Sequence, residues 1–183
     1  VGLYTSLVVI NGNPAISYYD QTNRDLKYVR ALDLNGTNWG PPISLDTVIA
    51  SGTYTSLAVV NGNPAISYVD QTNGILKYVR AQDANGTTWG SPAAIDGVGL
   101  YGSLVVVNGN PAISYWDGAN AQLKYVRALD ATGTNWGTPT TVDGAFFVGL
   151  YASLAVVNGN PAISYWDGST NADLKYVRAL DAN

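Results

Sequence analysis

The sequence predicts an all-β protein built from stacked four-stranded antiparallel units, and three observations carry that expectation. The tetrapeptide Asn-Gly-Asn-Pro occurs at residues 11–14, 61–64, 108–111 and 158–161, so the chain repeats itself at intervals of 50, 47 and 50 residues. Within each copy apolar and polar residues alternate with period two, and no stretch carries the 3.6-residue period of a helix. Gly, Asn, Thr, Ser and Tyr are abundant while Glu, His, Cys and Met are absent, which is a composition of strands and turns.

The elements of the first copy follow in order. Residues 6–10 make a first strand, and Asn11-Gly12 supplies the two positive φ angles of a type I′ hairpin turn. Residues 15–20 make the second, with Ala15, Ser17 and Tyr19 on one face and Ile16, Tyr18 and Asp20 on the other. After the polar turn 21–23, residues 26–31 form the third strand, where Leu26 and Tyr28 face away from Lys27 and Val29. A second polar turn leads to Trp39, which opens a last strand ending at Asp46; Pro41 and Pro42 lack N–H donors and place it at a sheet edge.

The copies span 2–51, 52–98, 99–148 and 149–183 of a single repeat domain covering 1–183, and the fourth ends before its Trp-bearing strand. Four short strands per unit is the size of a β-propeller blade, and helical or leucine-rich repeats fit neither the period nor the length. One such sheet alone would expose an apolar face. The expected architecture is therefore a β-propeller-type array of four blades, the last incomplete, each stable only through its neighbours.

Composition also excludes. The charge of -4 arises from thirteen Asp against nine Lys plus Arg, and the cations recur singly, so no basic stripe for nucleic acid exists. No apolar run is long enough for a membrane span, and no signal-peptide pattern opens the chain; beginning at Val1, it reads as a processed product or a fragment. Low charge and the absence of sulfur residues point to an extracellular or cell-surface protein.

Residues 31–39, Ala-Leu-Asp-Leu-Asn-Gly-Thr-Asn-Trp, resemble the Asp-box of sialidase-type propellers, Ser-x-Asp-x-Gly-x-x-Trp, with Ala in place of Ser and one extra residue between Asp and Gly. Residues 83–89 and 130–136 repeat the pattern. The resemblance implies structural fold-back turns in which Asp33, Asp83 and Asp130 accept backbone N–H groups while Trp39, Trp89 and Trp136 pack between blades. The size of the unit is also similar to that of short-repeat lectin propellers.

The sialidase resemblance implies an active site of clustered arginines, a Tyr nucleophile and a Glu partner. The chain has no Glu, and apart from Arg24 its arginines occupy one repeated position, Arg30, Arg80, Arg127 and Arg178. With His and Cys also missing, the expectation is a protein without catalytic residues. The single Asp of the 33–37 loop is too few carboxylates for calcium, so neither a metal nor a cofactor is expected. Asn35-Gly36-Thr37 and Asn85-Gly86-Thr87 match a glycosylation acceptor and serve equally as turn residues.

A ligand site has a clearer signal. Tyr19, Val69, Trp116 and Trp166 occupy one repeated position beside Asp20, Asp70, Asp117 and Asp167, and an aromatic ring next to a carboxylate suits a sugar. The expected binding residues are Tyr19, Asp20, Asp70, Trp116, Asp117, Trp166 and Asp167; the competing reading packs these rings against the next blade. Phe146 and Phe147, the only Phe residues, form either an adhesive contact or a seam filling. The incomplete fourth copy predicts self-association, or completion by another subunit or by further repeats. Together these give a non-catalytic scaffold for self-assembly, in filaments or rings, or for adhesion, with a multivalent glycan-binding lectin as the alternative.

Overall fold

The computed structural model describes residues 2–169 and 172–181, so the closing Asn183 of the fourth repeat lies outside the described residues. The fold is all-β and propeller-type. Blade 1 holds β1 (Gly2–Ile10), β2 (Asn13–Asp20), β3 (Asp25–Arg30) and β4 (Ile43–Asp46); blade 2 holds β5 (Ser51–Val60), β6 (Asn63–Asp70), β7 (Ile75–Arg80) and β8 (Ala93–Asp96). Blade 3 holds β9 (Gly99–Val107), β10 (Asn110–Asp117), β11 (Gln122–Arg127) and β12 (Thr140–Asp143), and blade 4 holds β13 (Val148–Val157), β14 (Asn160–Asp167) and β15 (Asp173–Arg178). Each sheet is an antiparallel meander in chain order, four-stranded in blades 1 to 3 and three-stranded in blade 4.

The hairpins are set locally. Asn11 and Gly12 both have positive φ, 45° and 83°, as a primed turn requires, and the other three hairpins repeat this. Arg30 clamps its own hairpin by donating to the carbonyls of Ile10 and Asn11, and Arg80 and Arg127 do the same one and two blades on. The repeated arginine is thus a turn fastener in every blade.

Two strand boundaries differ from the alternation pattern. β1 begins four residues earlier than the sequence pattern marks, because a bulge between Leu3 and Ser6 interrupts its period-two register. The outer strand begins late: Trp39 makes only an isolated bridge to Ala31, and pairing resumes at Ile43, past the two donor-less prolines.

The core lies in the seams between blades. β1 packs on β5, β5 on β9 and β9 on β13, so the first strand of every blade is innermost. At the first seam Leu26 and Tyr28 of blade 1 meet Leu57, Ile66 and Tyr68 of blade 2, and the same positions recur at the other two. Ser6, Ser56 and Ser103 each accept from the backbone N–H of Leu57, Leu104 and Leu154 of the following blade. Leu57 is 6% exposed, whereas Leu7, its counterpart in blade 1, is 67% exposed. Tyr28 is 1% exposed and its blade 4 counterpart, Tyr176, 61%. A leucine buried in a seam contributes about 1.5–3 kcal/mol relative to an exposed one, so stability resides in neighbour contacts and the two end faces lack it.

Candidate functional site

The bulge of each innermost strand carries a tyrosine: Tyr4, Tyr54, Tyr101 and Tyr151, whose φ angles are 52°, 53°, 55° and 54°. Left-handed backbone at a bulky residue costs on the order of 1–3 kcal/mol, and here the surrounding ladders enforce it four times. The bulge turns each ring out of the sheet alternation and lines the four up across the array. Adjacent ring centroids are 4.5, 4.7 and 4.6 Å apart with interplanar angles of 44°, 64° and 54°. With Thr5, Thr55, Gly102 and Ala152 they line a shallow groove of about 260 Å³.

Further rings extend this ladder. Tyr151 lies 6.4 Å from Trp166, Trp166 lies 5.9 Å from Phe147 and Phe147 lies 6.3 Å from Trp116; at the other end Tyr4 lies 6.4 Å from Tyr19. Phe147 also sits against Phe146. The two phenylalanines therefore join an aromatic surface continuous with the tyrosine ladder, with Phe146 the more exposed. Tyr19 is buried, Trp116 and Trp166 are half-buried, and the indole N–H of Trp116 is buried with no acceptor. Burial raises the phenol pKa of Tyr54 and Tyr101, and the neighbouring tyrosines raise that of Tyr54 further. These hydroxyls stay neutral and hydrogen-bond along the ladder, Tyr54 with Tyr4 and Tyr101, and Tyr101 with Tyr151.

The aspartates beside these rings are engaged within the protein. Asp20 accepts from the backbone of Thr22 and from Asn23, and Asp117 from Ala119 and Asn120; Asp167 accepts from the backbone of Ser169. Asp70 accepts from Asn73 and pairs with Lys77 at 2.8 Å, and Lys77 also reaches Asp46 of the previous blade at 3.0 Å. The same bridge links Asp96, Lys124 and Asp117, and links Asp143, Lys175 and Asp167. Tyr68, Tyr115 and Tyr165 donate to Asp46, Asp96 and Asp143. Burial pushes Asp46 and Asp70 up, but their hydrogen bonds outweigh it and hold both below the ordinary carboxylate range. The lysine's hydrogen bond leads in holding Asp167 down at about 2. These pairs hold negative charge locked to lysine.

Residues 33–39 form a tight turn around Asp33, whose carboxylate accepts from the backbone of Asn35, Thr37 and Asn38 and from the Thr37 hydroxyl. The Trp39 indole donates to Gly36. Asp83 and Asp130 organise their turns alike, and the rings of Trp89 and Trp136 lie edge-on to Tyr28 and Tyr78 of the preceding blades at 5.0 and 5.2 Å. Among the described residues no three metal-ligating side chains of His, Cys, Asp or Glu converge.

The tyrosine ladder went unnoticed in the sequence although its signal is present. Positions 4, 54, 101 and 151 follow the same 50, 47 and 50 spacing as the Asn-Gly turns.

No family model and no curated protein matches the chain in sequence. Its structure is similar to a protein of unknown function from Dyadobacter fermentans (TM-score 0.71, 12% identity, covering 97% of this chain and 60% of that one). It is also similar to an α-L-arabinofuranosidase of Podospora anserina in complex with cellotriose (TM-score 0.62, 13%, 97% and 63%). A third likeness is to an exo-β-1,3-galactanase of Phanerochaete chrysosporium with β-1,3-galactotriose (TM-score 0.64, 12%, 97% and 45%). The chain spans less than two thirds of the length of these three proteins.

The expectations of a non-catalytic assembly or adhesion scaffold, and of a protein that is not an enzyme, are corrected by these likenesses. Glycosidases use this architecture, so the absence of Glu and the dispersed arginines do not exclude catalysis. Glycoside hydrolysis needs two suitably spaced carboxylates, which Asp provides as well as Glu.

Proposed function

We propose that this protein has a carbohydrate-directed function and that the aromatic face built around Tyr4, Tyr54, Tyr101 and Tyr151 is where a saccharide chain lies. The observation that carries the proposal is the ladder itself. Four rings at near-equal spacing offer apolar surface to the C–H faces of successive sugar units, and their hydroxyls offer polar partners to sugar oxygens. The strained bulges fix the rings before a ligand arrives, which lowers the ordering cost of binding. The likeness to glycosidases, two of them in complex with oligosaccharides, supports the same substrate class. The Asp-box-like turns at 33–39, 83–89 and 130–136 act in this reading as structural latches, and a saccharide ligand suits an extracellular or surface setting.

Cellotriose and β-1,3-galactotriose are the probes, with binding followed by calorimetry and turnover by reducing-end release. The informative variant is Tyr101→Gly, because glycine accepts the bulge's positive φ without strain and removes only the ring. An aromatic contact is worth about 0.5–1.5 kcal/mol beyond its buried area, so affinity should fall by roughly three- to tenfold or more while the fold is kept. Absence of saturable binding by either sugar, or binding indifferent to Tyr101→Gly, would overturn the assignment.

A further inference from the structure

The three seams are built alike behind the tyrosine ladder except at one position. At the first, Ser17 donates to the Thr55 hydroxyl at 2.9 Å, and Thr55 donates to the carbonyl of Tyr4 at 2.7 Å. Ser17 and Thr55 are both buried, so the threonine satisfies a serine that is closed off from solvent. The counterparts are Ser67, Gly102 and Tyr54 at the second seam, and Ser114, Ala152 and Tyr101 at the third. Thr55 supplies a carbon and a hydroxyl, Ala152 a carbon alone, and Gly102 neither. Ser67 and Ser114 are 0% exposed, and their hydroxyls have no hydrogen-bond partner among the described residues.

Gly102 therefore leaves a notch the size of a threonine side chain. A carbon at its Cβ position would lie 3.7 Å from the Ser67 hydroxyl and 3.8 Å from a methyl of Ile113 and one of Leu76. Those are ordinary contact distances, so one slender carbon group fits between the three. Gly102 is half-buried and lines the same groove as Tyr54 and Tyr101, whose rings stand 4.7 Å apart. The notch thus opens onto the ladder and ends at an unsatisfied donor.

We propose, building on the saccharide reading above, that this notch is a subsite for the hydroxymethyl group of a hexose. The methylene takes the place that Cβ has in Thr55. The hydroxyl accepts from Ser67 and donates to the Tyr54 carbonyl, as Thr55 does with Ser17 and Tyr4. A ring hydroxyl cannot do this, because it brings no carbon of its own beyond the ring. Thr55 fills the corresponding place at the first seam and the Ala152 carbon blocks it at the third, so only Gly102 admits the group. One such notch sets the register of a sugar chain on a ladder that is otherwise repetitive.

Cellotriose and xylotriose are the probes, since xylose is glucose without its hydroxymethyl group. Calorimetry on the 1–183 chain should show cellotriose binding roughly five- to tenfold more tightly, the worth of one hydrogen-bonded hydroxyl. Gly102→Thr fills the notch with the protein's own hydroxyl and should bring cellotriose to the level of xylotriose. Gly102→Ala fills only the carbon position and should do the same, while Ser67→Ala keeps the notch open and should narrow the preference. If neither sugar binds saturably, the saccharide reading falls and the subsite with it. Equal binding of both sugars to the native chain, or a preference that survives Gly102→Thr and Gly102→Ala, refutes the subsite alone and leaves the ladder standing.

Discussion

The seam between blades 1 and 2 and the seam between blades 3 and 4 are written with nearly the same residues, yet only the first is complete. At the first, Asp46, Lys77 and Asp70 form a bridge in which Lys77 is 14% exposed and Asp70 is fully buried. At the third, Asp143, Lys175 and Asp167 repeat it with Lys175 39% exposed. Trp89 covers the first seam, whereas among the described residues no indole lines the third. Identical sequence does not give identical energy, because the dielectric around an ion pair is set by what lies outside the pair.

The largest effect follows from that contrast. Lys77→Met leaves two buried carboxylates without a counter-charge and should destabilise the protein by about 3–5 kcal/mol in urea unfolding. Lys175→Met removes the same residue from a solvated pair and should cost a small fraction of that. Equal losses would show that the bridges are energetically alike and remove the basis of the comparison.

A smaller effect distinguishes the seams through one hydroxyl. Thr55 donates to the carbonyl of Tyr4 at 2.7 Å and accepts from Ser17 at 2.9 Å, joining two blades behind the tyrosine ladder. The next blades carry Gly102 and Ala152 at that position, and Ser67 and Ser114, the counterparts of Ser17, have buried hydroxyls with no partner. A Cβ added at Gly102 meets nothing nearer than 3.7 Å, the Ser67 hydroxyl itself, in ordinary extended backbone. Thr55→Val should cost about 1–3 kcal/mol by orphaning its partners, and Gly102→Thr should gain about 0.5–1.5 kcal/mol by supplying the missing bond. Thermal unfolding of both variants checks the pair, and a destabilised Gly102→Thr would refute the reading of Ser67.

The repeat period, the Asn-Gly hairpins and the meander order were legible because each depends on neighbours in sequence. The tyrosine ladder was not, since a bulge breaks the alternation that marks a strand: the pattern starts at Ser6, just after Tyr4 has left it. The partners of Asp70 and Asp117 were hidden for another reason. Their lysines also reach Asp46 and Asp96 on the blade before, and only stacking brings those carboxylates together. The expectation of a non-catalytic scaffold rested on the residues that one family requires, whereas the fold itself is one that glycosidases also use.

The smallest effect concerns acid, and it separates the turn on blade 1 from its two copies. The backbone N–H of Thr37, then that of Asn38, hold the Asp33 carboxyl at about 2, below its ordinary 3.8. Asp83 is partly desolvated, which alone would raise it, yet bonds from Thr87 and Thr88 hold it lower than Asp33. A carboxyl lowered by folding stabilises the turn fully above the unfolded value, and that contribution is lost as pH falls through the folded one. The 33–39 turn should therefore loosen between about pH 4 and pH 2, with the 83–89 turn following at lower pH. Loosening the first frees Trp39, which is already 39% exposed; loosening the second lifts Trp89 from Tyr28 and opens a seam. Carboxyl and indole NMR signals followed through an acid titration should show Asp33 and Trp39 changing first and Asp83 with Trp89 later, and a common midpoint near 3.8 would mean that neither turn grips its carboxylate.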